Sequence, residues 1–201
     1  MLLGVFMAIR KKTNKKKVQT KAADRPTRYW ILVLNPHDWV RERYHPQAIL
    51  DVMWEKGYWG LKGKSAGVKS IQKGDVVLLY IASPYKAFGG CGIVTHAHGR
   101  FRMTARRYYD QRYRPLPQDG ILFKGLVKFE TQVPIPALIK KLRFTRGLGP
   151  SWGLALRGAA RPIDRRDFIK IIKAAGDLNS NLSSRAETII LKAAKGTKGD
   201  K

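Results

Sequence analysis

Acidic residues are scarce in this sequence. Only 14 Asp and Glu stand against 40 Lys and Arg, a formal net charge of +26 over 201 residues. So large an excess repels itself in a compact chain unless a polyanion screens it, and a phosphate backbone does that best. The shortage also bears on catalysis, since no two carboxylates lie in the apolar, helix-spaced setting that would raise one pKa for acid–base work. Cysteine is nearly absent. The single Cys91 excludes an intramolecular disulfide and points to a reducing, cytoplasmic compartment. As a nucleophile it would need a base and an orienting group that the sequence does not display. No apolar run reaches the length of about 18 residues that a membrane span needs, so no membrane partner is expected. The opening "MLLGVFMAIRKK" carries its charge after the apolar run, the reverse of a secretory signal. GxSxG, HExxH and P-loop motifs are missing, as is any internal repeat. His96 and His98 in "THAH" alternate onto one strand face, but no third ligand stands near them. The expectation is a protein that is not an enzyme, with no cofactor and no metal.

What is present divides into three parts by charge. Residues 1–28 hold nine basic residues and one acid, with no apolar period after Ile9, and read as a disordered basic arm able to lie along phosphates. Residues 29–176 carry 26 basic and 10 acidic residues and all five tryptophans, and form the folded domain. Residues 177–201 read as a short helix over "SSRAETIILKAAK", opened by Ser with Glu187 in the first turn, and a fraying tail.

Inside the domain the apolar period alternates between strand and helix. Strands are expected over 28–34, 73–82, 89–97 and 120–130. Helices are expected over 46–57, with Pro46 at its start and Gly57 at its end, over "IPALIKKL", and over 164–176, capped by Asp164. Strands with helices packed round them imply an α+β fold built on a small, strongly curved sheet or open barrel.

Two features carry chemistry. The segment "GRFRMTARRYYDQRYRP" (99–115) has six arginines, three tyrosines and a phenylalanine against one acid, Asp110. Arginine forks hold phosphates and stack on bases, and tyrosine rings offer faces to unstacked bases. The competing reading is a solvated basic loop with Tyr108 and Tyr109 tucked into the core. Arg100, Arg102, Arg106, Arg107 and Arg112, with Lys62 and Lys64 just after Trp59, form the expected phosphate-binding set. The second feature is the tryptophans. Trp54 (mid-helix) and Trp30 (in the first strand) read as core. Trp39, Trp59 and Trp152 fall beside Pro or Gly at turns, where a ring either lines a pocket or closes a core.

In order along the chain, "RYWILVLNPHDW", "GYWGL", "IQKGDVVLLYIA", "GGCGIVTHA" and "GPSWGLALRGAARPID" resemble the motifs of the EVE domain family over about residues 28–175. EVE domains are PUA-like and related to the YTH readers of methylated adenine. The resemblance implies a strongly curved mixed sheet, or open β-barrel, with flanking helices and a pocket that takes one flipped, modified base against aromatic faces. It places Asn35 at the base edge and Trp59 at the first cage wall, with Gly60 letting backbone approach the base. Tyr108, Tyr109 or Tyr113 would supply the second wall, and Trp152 matches a late "SW" in register. Arg157 and Arg161 lie near a phosphate-clamping position. Trp39 stands where the methyladenine readers carry an Asn, and an indole cannot accept the hydrogen bond such a residue makes. The implied partner is nucleic acid, RNA or DNA, with a modified base. The alternative is a structural RNA-binding protein of ribosomal or transfer RNA with no selectivity for modification.

Overall fold

The computed structural model describes residues 26–34, 51, 54–55, 57–61, 67–100, 119–180, 182, 184 and 188. The strands are β1 (Tyr29–Leu34), β2 (Tyr58–Leu61), β3 (Val76–Ile81), β4 (Ala87–Arg100), β5 (Asp119–Pro134) and β6 (Ala160–Ile163). They form one six-stranded sheet in the order β2-β5-β4-β3-β1-β6. Helix α1 (Arg165–Leu178) and 3-10 turns at Val68–Ser70, Ile135–Ala137, Arg143–Thr145 and Gly149–Leu156 follow, and the described residues Asp51, Trp54, Glu55, Ser184 and Thr188 are helical as well. The architecture is a mixed, curved α+β sheet with a flanking helix, as expected.

The apolar runs set this order. "YWILVL" and "VVLLYI" are buried almost throughout, as strands covered on both faces must be, and β1 and β3 pair in parallel at the centre. The remaining pairings are antiparallel. β4 and β5 run 14 and 16 residues, and their ladder shifts register at four places along its length. Each shift kinks the strand and increases its twist, which is how a sheet this small curls.

Alternation along the strands sends side chains into two separate cores. Tyr29, Ile31, Leu78, Tyr80 and Cys91 point to one face, where α1 covers them with Phe168, Ile171, Ile172 and Ala175. Trp30, Leu32, Val77 and Leu79 point to the other face, where they meet Trp59, Val68, Ile71, Ile121 and Phe123. Tyr29 stacks on Phe168 at 4.9 Å between ring centroids, joining β1 to α1.

The structure differs from the sequence expectation in four places. "IPALIKKL" is not a helix but a 3-10 turn followed by further turns. Its turns close on hydrogen bonds three residues apart, Leu138 N–H to Ile135 O and Lys141 N–H to Leu138 O. The Thr145 hydroxyl donates to the carbonyls of Ile139 (2.7 Å) and Leu142 (3.1 Å), and just beyond the segment Asp167 takes the N–H groups of Arg143 and Phe144. "YWGL" and "ARPI", not expected as strands, are the two edges of the sheet, held by β5 and β1. β4 and β5 extend beyond the expected 89–97 and 120–130 because each supplies the other's ladder. Helix α1 runs to Leu178, where the Asn179 amide fastens it to Thr131 of β5 at 2.6 and 3.0 Å. Asp164 does cap α1, accepting from Asp167 N–H at 2.7 Å. Gly57, at φ +61°, donates to Trp54 O at 3.1 Å and closes a helical stretch that includes Asp51, Trp54 and Glu55. The rest of the helix over 46–57, residues 1–25 of the basic arm and most of the C-terminal segment lie outside the described residues.

Candidate nucleic-acid interface

Asp75 is the polar centre of the sheet. It precedes β3, is 1% exposed, and accepts the Trp30 indole N–H at 2.9 Å and the Gln72 N–H at 2.9 Å. The Arg28 N–H approaches its other oxygen at 3.4 Å. This aspartate therefore fixes where the chain enters β1, and with it the ring of Trp30. Sequence reasoning places "KGD" at the head of the strand over 73–82 and gives Asp75 no role; the signal available was a carboxylate directly before an apolar run.

Trp59 lies on β2 opposite Ile121 and is 2% exposed, inside the core on the Trp30 face. Gly60 is buried and faces Gly120 across the ladder. The Tyr58 ring crosses that glycine, since a Cβ on Gly120 would fall 2.1 Å from Tyr58 Cε2. Trp54 is half-buried and its indole lies directly over Gly90, on the same face as Trp59. Asp51, three residues earlier, pairs with Lys128 of β5 and holds this stretch to the sheet. Trp152 packs against the other core, the one to which α1 contributes. Trp59 and Trp152 are thus brought to opposite faces, not together.

Arg157 is exposed. Arg161, on β6, donates from Nη1 to the Ala155 carbonyl and sets its guanidinium 5.5 Å from the centre of the Phe144 ring. Its Nε is buried and has no hydrogen-bond partner among the described residues. Much of this arginine is therefore used inside the fold. Arg100 ends β4, in register with Asp119. Asn35, Trp39, Lys62, Lys64, Arg102, Arg106, Arg107, Tyr108, Tyr109, Arg112 and Tyr113 lie outside the described residues.

The reactive groups are mostly committed elsewhere. Burial pushes the Cys91 thiol up to about 12, so at neutral pH it is a small apolar side chain. Asp167, 1% exposed, takes the Arg143 N–H at 2.8 Å and the Phe144 N–H at 3.1 Å. Partial burial works to raise the Asp164 carboxyl, but hydrogen bonds from Asp167 N–H and the Arg143 guanidinium, with the charge of that guanidinium, hold it below its ordinary value. His96 is exposed on β4, and among the described residues no group of three His, Cys, Asp or Glu gathers to hold a metal. No helix among the described residues is long and apolar enough to cross a membrane.

Sheet order, register and the α1 layer make a mixed, curved α+β domain, consistent with the PUA-like fold that the likeness to EVE domains implies. No protein-family model and no curated protein matches the sequence. Solved structures of similar shape include a hypothetical protein from Leishmania major, 16% identical, with a TM-score of 0.49 over 75% of this chain and 96% of that one. Human THYN1, solved in complex with DNA containing 5-methylcytosine, is 11% identical with a TM-score of 0.48 over 74% and 98%. The ASCH protein of Zymomonas mobilis is 11% identical with a TM-score of 0.46 over 73% and 94%.

Proposed function

We propose that this protein binds nucleic acid, RNA or DNA, without catalysing a reaction on it, and takes one flipped, modified base against aromatic side chains. The observation that carries the reading is the charge left over once folding has used its acids. Of only 14 carboxylates, Asp75 and Asp167 are buried on backbone and indole donors and Asp164 caps a helix, so they neutralise little of the surface formed by 40 cations. Phosphates are the counterions that such a surface collects.

The base pocket belongs on the Trp59 face, with Gly60 beside it and Asn35, Trp39, Tyr108 and Tyr109 as its further walls. Trp152, on the opposite face, is assigned to the core. Stacking one base on an aromatic ring contributes about 1 to 3 kcal/mol. A methyl group moved from water into apolar contact adds about 0.8 kcal/mol. Phosphate contacts from the arginines of 100–114 would then give affinity and the pocket discrimination. The Trp59 ring is covered in the free protein, so a base reaches it only if a covering side chain moves aside. That same burial favours a second reading, in which the protein packs along RNA with no preference for modified bases.

Titration with strands of one sequence, with and without a modified base, at several salt concentrations separates the readings. The expected result is affinity that falls steeply with salt and rises several-fold on modification. Salt-sensitive binding blind to every modification leaves the second reading. Absence of salt-sensitive binding removes both.

A further inference from the structure

A second line of cations runs along the outside of the layer that covers the face opposite Trp59. Between positions 140 and 173 stand ten Lys and Arg and only two acids, Asp164 and Asp167. Both acids are occupied within the fold: Asp167 on the N–H groups of Arg143 and Phe144, Asp164 on the first turn of α1 and the Arg143 guanidinium. On α1, Arg166, Lys170 and Lys173 recur at i, i+4 and i+7, a stripe about 10 Å long at a rise of about 1.5 Å per residue. At 3.6 residues per turn the stripe lies on the side of α1 away from buried Phe168, Ile171, Ile172 and Ala175. Like charges at that spacing repel and weaken the helix that carries them.

The stripe does not stand alone. Lys170 Nζ donates to the Lys141 carbonyl, which lays the turn around Lys140, Lys141 and Arg143 beside it. These three side chains are exposed, as are Arg166 and Lys173, and Lys170 is half-buried. Within the ridge, among the described residues, the fold pairs only Lys170, with Asp167 at 3.9 Å, and Arg143, with Asp164 at 3.2 Å. A row of cations in such excess, kept at some cost to its own helix, matches a linear row of anions. We propose that this ridge is a second contact for a nucleic-acid backbone, engaging phosphates on a different stretch from the one that offers a base to the Trp59 face. The inference rests on the nucleic-acid reading above, but not on the base pocket. The contact carries no base information, because lysine and arginine on phosphates read charge alone. It makes the footprint wider than one strand crossing one pocket.

The test is the full chain carrying Lys141→Gln, Arg166→Gln and Lys173→Gln, all at exposed side chains, with its melting temperature as the check on folding. Should that variant melt early, Lys140→Gln with Lys173→Gln gives the same comparison. Two probes are used, a duplex of about 30 base pairs and a single strand of about 6 nucleotides, each as DNA and as RNA. The expected result is weaker binding of the long probe with a slope of log affinity against log salt lowered by about 2 to 3, close to one per phosphate contact removed. Affinity for the short strand should not change. Wild-type protein that fails to bind either probe ends the nucleic-acid reading itself. Wild type that binds the long probe, matched by an equally tight variant, overturns the ridge alone. Equal losses on long and short probes overturn its separateness. Unchanged nucleic-acid binding with lost binding to polyglutamate assigns the ridge to an acidic protein instead.

Discussion

The indole N–H of Trp30 donates to the carboxylate of Asp75 at 2.9 Å, across 45 residues of sequence. The bond ties β1 to the start of β3, the central parallel pair, at a position where both residues are almost wholly buried. Asp75→Ala leaves the indole donor and the Gln72 N–H without their acceptor. The orphaned indole donor is buried and costs about 1 to 3 kcal/mol, whereas the Gln72 N–H is within reach of water. Urea denaturation should show the midpoint falling accordingly. An unaltered midpoint would mean that water or another group replaces the carboxylate, and that Asp75 is not the anchor of β1.

Gly90 admits the Trp54 ring. A Cβ there would sit 1.8 Å from the indole Cη2 and 2.3 Å from the Val127 carbonyl oxygen. Gly90→Ala should therefore expel Trp54 or distort the β4–β5 ladder, at a cost of about 1 to 3 kcal/mol, as overpacking does. Indole fluorescence should shift to the red as Trp54 meets water. A variant with unshifted emission and an unchanged melting temperature would show that Trp54 does not rest on Gly90.

Cys91 is predicted to be inert until the chain unfolds. With its folded pKa raised to about 12 by burial, it favours the native state at pH values below the ordinary thiol range. That contribution is lost as pH climbs from the unfolded thiol value of about 8.5 towards 12. A thiol reagent at mildly alkaline pH should react at the rate of unfolding and not at that of a free thiol, as a comparison with and without urea would reveal. Rapid native labelling would place the thiol at the surface.

Asp164 has the opposite sign. Its carboxyl is held below the ordinary value, so it stabilises the native state above the unfolded carboxylate pKa and ceases to do so as pH falls through the folded one. Asp164→Asn should flatten the acid limb of a melting-temperature curve below about pH 4 while changing little near neutrality. Asparagine keeps the cap acceptor, so the comparison isolates charge. An acid limb identical in the two proteins would assign that limb to other carboxylates.

How much of this was legible in the sequence depends on whether a residue's role is local. β1, β3 and α1 declare themselves through long apolar runs or a clear 3.6-residue period with a capping aspartate. β2 and β6 do not, because four-residue strands containing Gly60 or Pro162 owe their conformation to β5 and β1. "IPALIKKL" has helical spacing, yet the Thr145 hydroxyl takes two of its carbonyls and buried Asp167 holds the chain just beyond it, partners that lie outside the segment and leave no mark on its spacing. The excess of cations can be counted in advance, but which acids the fold consumes cannot. Nor can the faces of Trp59 and Trp152 be read ahead, since face follows register and register is set by partners far along the chain. The Arg166, Lys170 and Lys173 stripe was readable as a period, though without the buried side of α1 it had no direction.

Pro162 sits in the last strand of the sheet, in register with Trp30, on a strand only four residues long. A proline supplies no N–H to an incoming ladder, and an edge only four residues long offers little for a second copy to pair with. Polyanions gather cationic proteins at high local density, a condition under which an open β edge would invite stacking into insoluble fibres. At this edge the same four residues that close the sheet also keep crowded copies from joining theirs to it.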